Sequence, residues 1–200
     1  MAVVRPRVLI PTLVGVLVLS AVIGWVISDR SDGSMDNGND SVTLDSAGTY
    51  DEPADSIPVA PDVKGDVLPS VKVEDLAGNA VTTGSLLGQP LVINLWFPTC
   101  VPCKKEMPDF AKVQQELGDQ VRFVGISTQG TPNDIRSFAD DRGVKYELLR
   151  DETLALPSKL SIGVYPATLF VTADGHIASL HQGAMTADTL RSTIDDELLG

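Results

Sequence analysis

Apolar and polar positions fall into three regimes along this chain. Residues 8–27 are apolar apart from Thr12 and Ser20, and they carry no charge. At about 1.5 Å per residue, a helix of that length reaches roughly 30 Å, the thickness of a bilayer core. Residues 29–68 are rich in Asp, Ser, Gly and Asn, with Pro53, Pro58 and Pro61 further along. Such a stretch buries too little apolar surface to offset its ordering entropy, so it reads as a disordered or extended linker. From 69 to 200, short apolar runs alternate with amphipathic ones, as in a folded domain. No internal repeat is visible.

Within that domain, residues 71–76, a turn at Gly78-Asn79 and residues 80–83 predict a hairpin. The run LVINLWF at 91–97 is nearly continuous in apolar residues, which suits a central strand buried on both faces. Residues 102–117 predict a helix stopped by Gly118. A second buried strand follows at 121–128 (VRFVGIST), then a helix over 133–142 stopped by Gly143. Residues 146–149 predict a short edge strand and 154–160 a helix. Residues 168–172, a turn at Ala173-Asp174-Gly175, and residues 176–181 predict another hairpin. A helix over 190–199 closes the chain. This order argues for an α/β fold, a central mixed sheet with helices on both faces, preceded by an N-terminal transmembrane helix.

Charge adds direction to the first regime. Arg5 and Arg7 precede the apolar run, and all 27 acidic residues lie at or after Asp29. The positive-inside rule then keeps residues 1–28 as a cytoplasmic stub and single-pass anchor in the cell membrane and exports the rest. The alternative is a secreted protein released by signal cleavage. Signal peptides have shorter apolar cores of about 7–15 residues and a small-residue cleavage site. Here Trp25-Val26-Ile27 ends the run without an Ala-x-Ala pattern, and no cysteine stands there to carry a lipid. A net charge of -12 argues against nucleic acid as a partner, since phosphate neutralisation needs Lys and Arg.

The chain has two cysteines, Cys100 and Cys103, and both fall in one four-residue window. A bridge between them closes almost no loop and constrains the unfolded chain very little. The pair therefore suits a bond that is made and broken rather than a staple. Cys100-Val101-Pro102-Cys103 follows a buried strand and opens a helix. Unpaired N–H groups and the dipole at a helix start stabilise an anion, which lowers a thiol's pKa, and the thiolate is the attacking species. Cys100, at the start and more exposed, is expected to attack. Cys103, one turn in, is placed to resolve the mixed disulfide. Pro102 suits the first turn, where a missing N–H costs nothing. Two other readings compete. Half of a zinc site would need His176 and His181, but five residues apart on a strand they point to opposite faces. The cysteines could also be inert core thiols. No metal and no cofactor is expected.

Two stretches resemble one family. They are 94–108, NLWFPTCVPCKKEMP, and Gly163-Val164-Tyr165-Pro166-Ala167-Thr168 followed by Asp174-Gly175. Residues 71–199 resemble the TlpA/ResA-type branch of the thioredoxin superfamily, membrane-tethered thiol-disulfide oxidoreductases acting outside the cytoplasm. The resemblance implies a thioredoxin-like fold with Cys100 as nucleophile and Cys103 as resolving cysteine. It makes Pro166 the proline that is cis in the superfamily and faces the disulfide. The backbone of Tyr165 is then free to pair with a substrate strand. It makes Glu106, one helical turn after Cys103, an acid that moves protons, and Pro108 a proline that kinks the helix. Two positions depart from the pattern. Asn94 stands where cytoplasmic thioredoxins carry a buried Asp, and many members of this branch share it. Thr99 replaces the Trp usual before the first cysteine, which removes apolar surface beside the nucleophile and bears on partner choice.

The resemblance also implies partners: exported protein thiols and disulfides, apocytochrome c among them, and a membrane electron donor or acceptor. Reductive exchange in cytochrome c maturation is one direction, and Pro102 as second intervening residue resembles reducing members. Oxidative introduction of disulfides is the other. Peroxidases share the fold, but their Pro-x3-Thr-x2-Cys pattern does not fit Pro98-Thr99-Cys100.

Overall fold

The structure is a computed structural model that describes residues 61–200. The expected membrane helix at 8–27 and most of the expected linker lie outside the described residues. Among the described residues, no helix is long and apolar enough to cross a membrane.

One seven-stranded mixed sheet organises the domain. In chain order the strands are β1 (Lys72–Asp75), β2 (Ala80–Thr82), β3 (Leu91–Trp96), β4 (Arg122–Ser127), β5 (Glu147–Arg150), β6 (Ala167–Val171) and β7 (Ile177–Gln182). Their spatial order is β2-β1-β5-β4-β3-β6-β7. β3 pairs in parallel with β4, and β4 with β5; the other neighbours are antiparallel. Every residue of β3 is buried, as its unbroken apolar run predicts for a strand covered on both faces.

The helices are α1 (Val101–Leu117), α2 (Pro132–Asp140), α3 (Ala155–Lys159) and α4 (Ala187–Ile194). On one face of the sheet, Met107 and Phe110 of α1, Ile135 and Phe138 of α2 and Leu190 of α4 pack with Trp96 and Phe170. The other face is covered by Leu156 of α3, Leu86 of a 3-10 turn (Thr83–Leu86), and Val63 and Leu68. Helices on both faces of a mixed sheet agree with the sequence expectation.

Three expectations need correction. The short strand near 146–149 is not at an edge: β5 lies between β1 and β4. Its length suggested an edge, but the hairpin β1-β2, some seventy residues earlier in the chain, supplies its outer partner. The last helix begins before 190, at Ala187, because the Thr186 side chain caps it by accepting the Thr189 N–H. Past Ile194 the chain continues as a π-helical turn. Finally, residues 63–68, placed in the expected linker, are packed on the domain. Val63 and Leu68 are buried, and backbone bonds join Gly65 to Ile177, Asp66 to Ile177 and Leu68 to Gly175. Two apolar anchors and these backbone bonds together hold this proline-flanked segment beside the start of β7.

Candidate active site

β3 ends at Trp96, and the chain turns through Phe97-Pro98-Thr99 into α1. Cys100 is the N-cap of α1, extended at φ -71° and ψ 110°, and Pro102 lies in the first turn. The turn is closed by the Cys100 N–H donating to the Phe97 carbonyl at 3.1 Å. Side-chain oxygens usually take the N-cap role. Here a sulfur does: Cys100 Sγ accepts the Cys103 N–H at 3.2 Å. Cys100 and Cys103 are joined in a disulfide. Cys100 is 5% exposed and Cys103 0%.

Glu106 lies one turn beyond Cys103 and points inward, 1% exposed. Its Oε1 accepts from Asn94 Nδ2 at 2.8 Å, and its Oε2 from the Met185 N–H at 3.1 Å. Burial disfavours the carboxylate and pushes Glu106 up to about 7; the Asn94 and Met185 donors pull in the opposite direction. Asn94 also reaches Thr168 Oγ1, its register partner on β6, at 3.4 Å. Its own Oδ1 has no protein partner. Tyr146 is buried in the same core cluster with an unpartnered hydroxyl, held far above the ordinary phenol range by burial and then by the Glu106 charge. Pro108 sits inside α1 and is exposed.

The Tyr165–Pro166 peptide is cis. Tyr165 packs edge to face on Phe97 with ring centroids 5.5 Å apart, so it stands beside the turn that carries the cysteines. Pro166 is buried, and its carbonyl accepts the Gly183 N–H at 2.8 Å. Thr99 and Pro102 are exposed, as are the apolar Val101 at 62% and Val164 at 42%. The disulfide is thus bordered by accessible apolar surface.

The structure therefore gathers Thr99, Cys100, Pro102, Cys103 and Glu106 along one turn and helix, with Tyr165 and Pro166 alongside. Sequence reasoning missed Met185, Thr168 and Tyr146. Thr168 was in view as part of a strand, but only the β3–β6 register brings it to Asn94. The two histidines do not join the cysteines: His176 Nδ1 lies 3.2 Å from Asp174 Oδ2. Among the described residues, no group of three His, Cys, Asp or Glu side chains is arranged to hold a metal ion.

Known proteins are similar to this chain in sequence and fold. The chain is similar to the thioredoxin-like protein YneN of Bacillus subtilis, 26% identical over 135 residues, covering 66% of this chain and 79% of that one. It is similar to the thiol-disulfide oxidoreductase ResA of Oceanobacillus iheyensis, 28% identical over 137 residues, covering 66% and 71%. Among solved structures, a secreted Mycobacterium tuberculosis disulfide oxidoreductase homologous to Escherichia coli DsbE superposes with a TM-score of 0.58 at 26% identity, covering 64% of this chain and 96% of that one. Residues 64–180, more than half of the chain, match the AhpC/TSA family. The chain belongs to that family, and within its thioredoxin-like fold it is a thiol-disulfide oxidoreductase of the ResA and DsbE type.

Proposed function

We propose that this oxidoreductase exchanges its Cys100-Cys103 pair with exported protein clients, with Cys100 as the attacking sulfur. The observation that carries this reading is the Cys103 N–H directed at Cys100 Sγ at the start of α1. A thiolate at Cys100 keeps that donor and gains the helix dipole. In the reducing direction, the Cys100 thiolate attacks a client disulfide, forms a mixed disulfide and releases one client thiolate. Cys103 then attacks Cys100 Sγ and releases the second. Two electrons pass to the client and the Cys100-Cys103 bond forms. Glu106, buried behind Cys103, takes up the proton that Cys103 loses. Tyr165, Pro166, Thr99 and Pro102 form the client face, where an extended client segment lies against the Tyr165 backbone.

The site works outside the cytoplasm. Residues 1–28 anchor the chain in the cell membrane, the stretch from 29 to about 62 holds the domain off it, and the domain from Val63 onward, with its packed segment 63–68, carries the chemistry. The secreted M. tuberculosis relative supports the placement outside the cytoplasm, and release after signal cleavage is the alternative to the anchor. In the reductive reading a membrane electron donor feeds the site, and disulfide-bonded apocytochrome c, whose thiols are the product, belongs to the client class. The measured reduction potential decides direction: about -270 mV supports the reductase, whereas about -120 mV assigns an oxidase that introduces disulfides. Trapping tests the cysteine roles. Cys103→Ser is expected to accumulate client mixed disulfides on non-reducing gels, and Cys100→Ser none. Accumulation by Cys100→Ser instead would reverse the assignment.

A further inference from the structure

A groove of about 580 Å³ opens beside the cysteines, between the Pro98-Thr99 turn, Lys104 of α1 and the outer face of α2. Phe138 and Arg142 line it, and the buried Trp96 backs them in a stack. Trp96 and Phe138 lie nearly parallel with ring centroids 4.9 Å apart, and the Arg142 guanidinium lies 3.7 Å over the Phe138 ring centroid. Two such contacts on one ring require opposite faces. The Arg142 side chain is also tied down, donating from Nη1 to the Phe138 carbonyl at 2.7 Å. The guanidinium is therefore a fixed, half-buried plane whose outer side borders the groove. Planar guanidinium groups stack on aromatic faces. Asp134 and Asp141, also in the groove, offset the charges of Lys104 and Arg142, so no net charge selects an ionised occupant. The small side chain of Thr99 leaves the end nearest Cys100 open.

We propose that this groove recognises an aromatic side chain of the client, close in sequence to the client's reacting cysteine, by stacking it on Arg142. The inference rests on Cys100 as the attacking sulfur, because the groove is lined by Thr99, the residue immediately before Cys100, and by Lys104, just after Cys103. Thr99 and Arg142 then determine specificity: one keeps the groove open, the other supplies its platform.

The test uses the full chain in detergent and a series of disulfide-bonded peptides differing at one position near the cysteine, either Phe, Tyr, Leu or Ala. The readout is the ratio of kcat/KM for the aromatic and aliphatic peptides, which cancels any change in the cysteines' own reactivity. The wild type is expected to prefer the aromatic peptides roughly fivefold, as a cation–π contact at a partly exposed site supports. Arg142→Lys, which keeps the charge but loses the plane, and Thr99→Trp, which fills the groove from within, are each expected to bring the ratio close to one. Equal rates for aromatic and aliphatic peptides in the wild type overturn the proposal, whether a second copy or the chain's own N-terminal region covers the groove. A preference that survives both variants also overturns it, since the aromatic side chain then binds elsewhere. Loss of exchange with every peptide in the wild type would instead count against the client-exchange reading itself.

Discussion

Replacing Glu106 with Gln tests the most consequential feature of the buried site, a carboxyl whose proton affinity is set by its surroundings. In the folded protein Glu106 titrates at about 7, against an ordinary glutamate value of 4.5. Folding therefore favours the protonated acid. That stabilisation is complete below about 4.5 and is lost as pH rises through about 7. The gap corresponds to roughly 3 kcal/mol, a sizeable part of the 5–15 kcal/mol that holds a typical domain together. Gln is close in shape and takes no proton. Its oxygen can keep the Met185 N–H, and its amide can donate to Asn94 once that side chain rotates its unpartnered Oδ1 inward. The assay is urea unfolding of the oxidised wild type and of Glu106→Gln at pH 5 and pH 8. The wild type is expected to lose about 2 to 3 kcal/mol more than the variant between those pH values. Parallel loss in the two proteins would refute the reasoning, because Glu106 would then titrate alike folded and unfolded.

Other predictions follow from packing. A Cβ at Gly125 would stand 3.0 Å from Leu148 Cδ2, 3.0 Å from Trp96 Nε1 and 3.1 Å from Tyr146 Cε2. Gly125→Ala is thus expected to cost about 1 to 3 kcal/mol in urea unfolding. The Tyr146 hydroxyl is buried without a partner, so Tyr146→Phe is expected to leave unfolding stability unchanged or raise it by about 1 kcal/mol; a marked loss would mean that the hydroxyl is bonded after all. Thr131 caps α2 by accepting the Asp134 N–H on its hydroxyl, and its own N–H donates back to the Asp134 carboxylate. Thr131→Ala is expected to lower stability by about 1 kcal/mol while leaving the reduction potential unchanged.

How far each feature was legible in the sequence follows how local its causes are. The cysteine turn was readable because strand, turn, Pro102 and helix start are contiguous, and the helix end that could activate Cys100 is built from the same few residues. β3 and β4 were readable because strands covered on both faces need apolar residues at every position. β5 was misplaced because nothing within its four residues records that β1 will pair with it. The N-cap Thr186 was overlooked because an apolar pattern marks the middle of a helix better than its start.

Glu106 marks the limit. Its spacing from Cys103 put it within a turn of the chemistry but left open whether it faced water or the core. The answer depends on Asn94, from a strand earlier in the chain, and on the backbone of Met185, 79 residues later. Asn94 looked like a loss, since Asn exchanges no protons where cytoplasmic thioredoxins keep an acid. In the fold it acts as a donor to the acid that remains. Burial alone drives Glu106 toward permanent protonation, and a fully charge-paired carboxylate would stay ionised. Two neutral donors set against burial hold the group at about 7, where it can both take and release a proton near neutral pH. A neutral amide at position 94 is therefore part of what keeps the buried carboxyl short of permanent protonation, as the proposed proton transfer requires.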